Sequence, residues 1–129
     1  MISSTKQVAA VVLAAGESRR YGNLKQLLDW HGQPFVKAIA ATAVKAGLSP
    51  VIVVTGAQRS KVRHAVKDLP VKICHNPDWQ EGQSTSVKVG LQAVPIDCEA
   101  LIFLLADQPQ IPVQLLRSLM KAHVESGAP

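Results

Sequence analysis

Four apolar runs of strand length alternate with four segments in which apolar residues recur at helical spacing. The predicted strands are residues 8–15, 50–56, 71–76 and 100–107, and the predicted helices are residues 35–47, 60–69, 84–94 and 112–123. Because the order is strand then helix throughout, we expect a mostly parallel sheet with helices on both faces, a three-layer α/β/α domain. Ligands of such sheets bind outside the carboxyl ends of the strands.

The composition indicates which classes of partner this domain is expected to bind. The chain has 129 residues, 47% of them hydrophobic and 18% charged, which predicts one globular domain over residues 1–129. No apolar stretch approaches the length of a membrane span, and "MISSTKQ" lacks the apolar stretch of a signal peptide, so we expect a cytoplasmic protein without a membrane partner. A net charge of +5 with only 4% aromatic residues favours small phosphorylated ligands over nucleic acid.

The segment "GESRRYGNLK", residues 16–25 and here called the first loop, follows the most apolar strand. Its spacing fits neither the P-loop nor the dinucleotide fingerprint. Glycines such as Gly16 and Gly22 nevertheless let backbone N–H groups converge on a phosphate. Arg20 or Arg19 can grip phosphate oxygens in a forked manner, and Lys25 can act as a point charge. We therefore predict a phosphate site here; the alternative is a solvated basic loop with ordinary turn glycines.

Two other segments, one at a strand end and one at a helix start, carry candidate residues. Asp107 ends an apolar strand at the expected edge, and Mg²⁺ prefers one or two carboxylates together with phosphate oxygens. The alternative for Asp107 is a helix N-cap or turn. Residues 82–86 come before or at a helix N-terminus, which is a natural site for an anion or a polar base; the alternative is simple capping by Ser84 or Thr85. We expect Trp79 to pack rather than to stack on a ligand.

These residues carry a resemblance to a known family. The stretch "LAAGESRRYGNLKQLL" resembles the signature L-A-[AG]-G-x-S-x-R-x-G-x-x-K of the MobA-like nucleotidyltransferases. The matching positions are Leu13, Ala14, Ala15, Gly16, Ser18, Arg20, Gly22 and Lys25. "HNPDWQEGQSTSVKVGL" resembles the family's N-P-x-W-x-x-G-x-x-x-S stretch, and "LLADQPQI" resembles its strand-ending D-x-P. Tyr21 stands where the family often has methionine.

The resemblance implies a Rossmann-like nucleotidyltransferase fold and a role for each matched residue. Arg20, Lys25 and Asp107 would be the catalytic residues, the first two neutralising the phosphates and Asp107 binding Mg²⁺. The implied nucleotide-binding residues are Leu13, Ala14, Ala15, Gly16, Ser18, Gly22, Gly82, Gln83, Ser84 and Ser86. Family members run on past the point where this chain ends, with a second acidic metal ligand. The resemblance therefore implies an N-terminal portion of the domain, truncated at its C-terminus.

Within the family, "LAAG" rather than "LAGG" resembles the members that use CTP and molybdopterin. The implied reaction transfers CMP from CTP to Mo-molybdopterin with release of pyrophosphate. Such proteins support the maturation of molybdenum hydroxylases such as xanthine dehydrogenase, so a hydroxylase or its maturation factor is a candidate partner. Two alternatives stay open. One is transfer to another small phosphate acceptor such as a sugar phosphate, and the other is a maturation factor that binds nucleotide or cofactor without turnover.

Overall fold

A computed structural model describes residues 7–17, 19–20 and 22–126 of the chain. The strands are β1 (Val8–Ala14), β2 (Arg19–Arg20), β3 (Asn23–Leu24), β4 (Asp29–Trp30), β5 (Gln33–Pro34), β6 (Val51–Thr55), β7 (Lys72–His75) and β8 (Ala100–Leu105). The helices are α1 (Phe35–Ala46), α2 (Arg59–Ala65), α3 (Gln83–Ala93) and α4 (Val113–Ser126), with 3₁₀ turns at Lys25–Leu27 and Trp79–Glu81. None of the helices in the described ranges is long and apolar enough to cross a membrane.

The central sheet has the strand order β7-β6-β1-β8, and every pairing in it is parallel. β1 lies inside the sheet, and all seven of its residues are buried. This explains why its sequence, "VAAVVLA", is apolar without alternation, since both faces of the strand are covered. The predicted parallel sheet is confirmed.

One face of the sheet is covered by three helices. Val12 and Val53 on this face share a core with Ile39 of α1, Val62 of α2 and Leu116 of α4. α1 ends as its sequence predicts, because Gly47 adopts the left-handed conformation at φ 92° and its N–H donates to the Val44 carbonyl.

The opposite face is covered by α3. Val11 and Leu13 of β1 form a second core there with Val87 of α3. The helix comes close to the strand at Gly90, where an added Cβ would lie 2.5 Å from Val11 Cγ1. Glycine therefore sets the distance between α3 and β1, and the predicted three-layer α/β/α arrangement is confirmed.

Several predicted boundaries differ from the structure. α2 ends at Ala65 rather than at residue 69, and the turns that follow lead into Pro70, which disfavours helical geometry at the residue before it. α4 begins after Pro112 and runs to Ser126, three residues beyond the predicted end. The sequence also did not predict the two antiparallel hairpins, β2–β3 and β4–β5, between β1 and α1.

Candidate functional site

A cavity of about 280 Å³ opens at the carboxyl ends of β1 and β8, and we call it the edge cavity. Its described lining comes from the end of β1 and the segment after it, from the turn before α3 and the first turn of that helix, and from the end of β8 and the residues after it. These lining residues are Leu13, Ala15, Gly16, Gln26, Trp79, Gly82, Gln83, Ser86, Leu105, Ala106 and Asp107. The cavity therefore brings together residues from all three sequence motifs.

The register of the sheet explains why the first loop and Asp107 meet. Leu13 of β1 pairs with Leu105 of β8, and the N–H of Ala106 donates to the Leu13 carbonyl over 3.1 Å. Two residues further on, the chains emerge side by side at Ala15 and Asp107. Parallel pairing thus fixes a backbone loop and a carboxylate on the same rim.

Gln26 is a lining residue that the sequence did not single out. Its side chain is only 5% exposed, and its Nε2 donates to the carbonyl oxygens of Ala14 at 3.1 Å and Gly16 at 2.8 Å. A buried amide is expected to have hydrogen-bond partners, and here those partners are the end of β1 and the start of the first loop. The sequence feature that could have indicated a buried role for Gln26 is its position among leucines in "LKQLL".

The start of α3 is held by Asn76, which is completely buried. Its Nδ2 donates to Thr85 Oγ1 at 2.8 Å and to Ser86 Oγ at 2.9 Å, while its Oδ1 accepts from the N–H of Asp78 at 2.9 Å. Asn76 follows β7 directly, so it ties the end of that strand to the first turn of the helix. This side chain positions the part of α3 that lines the cavity.

Simple capping of α3 by Ser84 or Thr85 does not occur. The helix begins at Gln83, and the residue before it, Gly82 at φ 117°, makes no side-chain cap. Instead, the Thr85 hydroxyl lies 2.7 Å from the carbonyl oxygen of Gly82 and 3.0 Å from that of Asp78. Thr85 therefore secures the turn before the helix rather than the helix N–H groups, which have no intrahelical partner.

Trp79 both packs and lines the cavity. It is partly buried against the core on the α3 side of the sheet. Gly56 permits this position, because an added Cβ there would lie 2.6 Å from Trp79 Cβ and 2.6 Å from the Ala15 carbonyl oxygen. The expected packing role fits these contacts, and the indole also contributes to the cavity wall.

The carboxylate of Asp107 lines the cavity and makes no hydrogen bond or ion pair with the residues that the structure describes. α4 begins only at Val113, so Asp107 is not its N-cap; the turn after β8 is closed by the backbone bond from Gln108 N–H to the Leu105 carbonyl. The described residues contain no group of three or more potential metal-ligating side chains. A carboxylate without a hydrogen-bond partner among the described residues is available to bind Mg²⁺, an ion that commonly takes one or two protein carboxylates and completes its ligands with phosphates and water.

The other predicted site residues whose positions are described do not line the edge cavity. Ala14 is buried on the α1 side of the sheet, Ser84 is exposed, and Gly22 borders a different cavity, near α2. Lys25 is half-buried and is not among the described lining residues.

Two predicted phosphate contacts cannot be placed by their side chains. Ser18 lies outside the described residues. The backbone of Arg20 pairs with Asn23 in the β2–β3 hairpin, and its side chain lies outside the described part of the structure. The roles of Ser18, Arg20 and Lys25 at the phosphates therefore stay predictions.

Residues 10–129 match the family described as MobA-like NTP transferase domain. Purine catabolism protein PucB of Bacillus subtilis (strain 168) is 33% identical over 128 residues, which cover 92% of this chain and 62% of that protein. Molybdenum cofactor cytidylyltransferase of Escherichia coli (strain K12) is 29% identical over 116 residues, covering 87% and 57%.

Among solved structures, Rv0371c from Mycobacterium tuberculosis H37Rv aligns with a TM-score of 0.79 at 32% identity, covering 90% of this chain and 59% of that one. A structure of Rv0371c in complex with manganese aligns with a TM-score of 0.75 at 27% identity, covering 91% and 59%. The chain thus spans between 57% and 62% of the length of these relatives.

Proposed function

The chain belongs to the MobA-like NTP transferase family, and on this basis we propose that it transfers CMP from CTP to the phosphate of Mo-molybdopterin, releasing pyrophosphate. The observation that carries the proposal is the edge cavity. It joins the backbone at Gly16, the first turn of α3 and the carboxylate of Asp107 in one space. Nucleotidyl transfer requires backbone groups that hold the phosphates, a polar site that holds the nucleobase and an acidic residue that binds the metal ion.

The choice of CTP rests on Ala15. This residue is 3% exposed and lines the cavity, and its methyl group occupies space that a glycine would leave open. A narrower site favours the one-ring base of CTP over the two-ring base of GTP. The similarity to a protein named molybdenum cofactor cytidylyltransferase supports the same nucleotide and the same acceptor.

The chain's own residues then have defined tasks. The backbone at Ala15 and Gly16 holds the nucleotide, while Gln83 and Ser86 contact the base. An oxygen of the acceptor phosphate forms a new bond to the α-phosphorus of CTP as the bond to pyrophosphate breaks. Arg20 and Lys25 neutralise the charge that moves onto the leaving pyrophosphate. A Mg²⁺ ion held by Asp107 would supply further positive charge to the phosphate oxygens.

Binding without turnover is the second candidate. Among the described residues that line the edge cavity, Asp107 is the only carboxylate. A volume of about 280 Å³ is also slightly below the usual range for the pocket of one small ligand, about 300–1,000 Å³, so it does not account for both nucleotide and acceptor. These observations favour a nucleotide-binding maturation factor if the chain acts alone. A sugar phosphate is the alternative acceptor if it catalyses transfer.

The deciding experiment measures pyrophosphate release from CTP, GTP, ATP and UTP, each with Mg²⁺ and with or without molybdopterin or a sugar phosphate. We expect release only with CTP and molybdopterin. Pyrophosphate release with a sugar phosphate would show that the acceptor is a sugar phosphate rather than molybdopterin. Preferential release from GTP would refute the assignment of CTP as the nucleotide. If no pair gives release, thermal stabilisation by CTP but not GTP identifies the binding role, and stabilisation by neither contradicts both candidates.

A further inference from the structure

A second cavity, of about 430 Å³, lies at the ends of β6 and β7, and we call it the arginine cavity. Its described lining residues are Thr55, Arg59, Arg63, Ile73 and His75. None of them lines the edge cavity. The sequence motifs discussed above assign no role to this group of residues.

The arginine cavity lies on the opposite face of the sheet from the edge cavity. Val54 of β6 packs in the core beneath α3, whereas Val53 packs in the core beneath α1 and α2. Because successive strand residues point to opposite faces, Thr55 lies on the same face as Val53. Its register partner in β7 is His75, which lies on that face as well.

Arg59 and Arg63 bring two guanidinium groups to the arginine cavity. Arg59 and Arg63 are four residues apart on α2, which makes them neighbours on one side of the helix. Like charges at this spacing weaken a helix. Neither side chain has an ion pair or hydrogen bond within the described residues, and no carboxylate is among the described residues that line the cavity. An anionic ligand would relieve this repulsion.

The hydrogen bond between Thr55 and His75 adds a third donor. Thr55 Oγ1 lies 3.1 Å from His75 Nδ1, and Thr55 is 1% exposed with no other side-chain partner in the described structure. If Nδ1 carried the proton, the buried hydroxyl hydrogen would lack an acceptor. When the hydroxyl donates to Nδ1, the ring nitrogen that carries a proton is Nε2. This tautomer leaves Nε2–H as the available group of His75.

We propose that the arginine cavity binds the phosphate group of a small phosphorylated ligand, separately from the nucleotide in the edge cavity. Arg59, Arg63 and His75 together present only hydrogen-bond donors. A phosphate monoester above its second pKa of about 6 has three terminal oxygens that only accept hydrogen bonds, and the guanidinium fork matches their geometry. This site does not depend on the proposed nucleotidyl transfer, because it shares no described lining residue with the edge cavity.

The test follows the His75 ring signals by NMR while inorganic phosphate is added at constant pH and ionic strength. We expect saturable shifts in the unchanged chain. Replacing both arginines, R59Q/R63Q, is expected to weaken phosphate binding about tenfold or more, because two charge-assisted hydrogen bonds are lost. CTP affinity should stay within about twofold of the original, since neither arginine lines the edge cavity.

The matched control is K72Q/K88Q, which removes two exposed positive charges outside both cavities. It is expected to change phosphate affinity by less than about twofold. Equal weakening by K72Q/K88Q would show a general charge effect and overturn the proposal. Shifts at His75 that are absent, or that persist unchanged in R59Q/R63Q, would overturn it too. If R59Q/R63Q does not fold, R63Q alone is compared with K88Q by the same measurement.

Discussion

The side-chain amide of Gln26 donates to the carbonyl oxygen of Gly16 over 2.8 Å. This contact turns the carbonyl of Gly16 towards Gln26. Because the peptide unit is planar and trans, the next N–H, that of Glu17, points the opposite way. Nε2 also donates to the Ala14 carbonyl at 3.1 Å, so one buried side chain holds the carbonyls of two residues, Ala14 and Gly16, at the rim of the edge cavity.

Replacing Gln26 by leucine should damage both stability and nucleotide binding. The change keeps the side chain's approximate size but leaves the carbonyls of Ala14 and Gly16 without a donor. We expect the free energy of unfolding to fall by about 1–3 kcal/mol and CTP affinity to fall about tenfold. Urea denaturation and calorimetric titration measure the two effects. Gln92→Leu, at an exposed position of α3, is the matched control and should change neither. Lost stability with normal CTP affinity would mean that Gln26 has only a structural role.

Replacing Asn76 by alanine should loosen the start of α3. Three hydrogen bonds are lost, to Thr85, Ser86 and Asp78, at a position with no solvent exposure to replace them. We expect a loss of about 2–3 kcal/mol in unfolding free energy, together with faster amide exchange at residues 83–86. Ser84→Ala, at an exposed position on the same turn, should leave both unchanged. Amide exchange as slow as in the unchanged chain would contradict this account of Asn76.

The sequence predicted the sheet well because a strand that is buried on both faces consists almost entirely of apolar residues. Residues 51–55 read "VIVVT", and a run of this kind has few alternatives to a covered parallel strand. Helix ends were less predictable. A left-handed glycine such as Gly47 marks an end clearly, but α2 stops at Ala65, several residues before the nearest proline, Pro70.

The site was predicted in part for a related reason. Asp107 and Gly16 could be placed because strand ends of a parallel sheet share one edge. The position of Gln26 could not be predicted, because its burial depends on the small hairpins that return the first loop to β1. Strands of two residues are too short to show a periodicity in the sequence. The role of Asn76 in anchoring α3 likewise depends on contacts between separate elements of the fold.

Lys25→Ala tests the predicted phosphate contact in the first loop. Lys25 is half-buried, and no interaction of its side chain with the described residues competes with a ligand. If it binds the triphosphate, its removal should weaken CTP binding by about 1.5–3 kcal/mol, roughly tenfold to a hundredfold, and cytidine binding much less. Lys37→Ala on α1 serves as the control for loss of one positive charge. Equal CTP affinity in the two variants would show that Lys25 is an ordinary loop lysine.

Asp107→Asn separates a metal-binding carboxylate from a structural one. The change keeps the shape of the side chain and removes its negative charge. Because the carboxylate accepts no hydrogen bond from the described residues, we expect normal melting in the absence of nucleotide. Mg²⁺-dependent pyrophosphate release should fall about a hundredfold or more, and the additional stabilisation that Mg²⁺ gives to bound CTP should disappear.

Asp97→Asn, an exposed carboxylate outside the edge cavity, is the matched control and should retain both properties. If Asp107→Asn releases pyrophosphate normally at ordinary magnesium concentrations, the metal is held elsewhere. A lowered melting temperature without nucleotide would instead assign Asp107 a structural role at the end of β8.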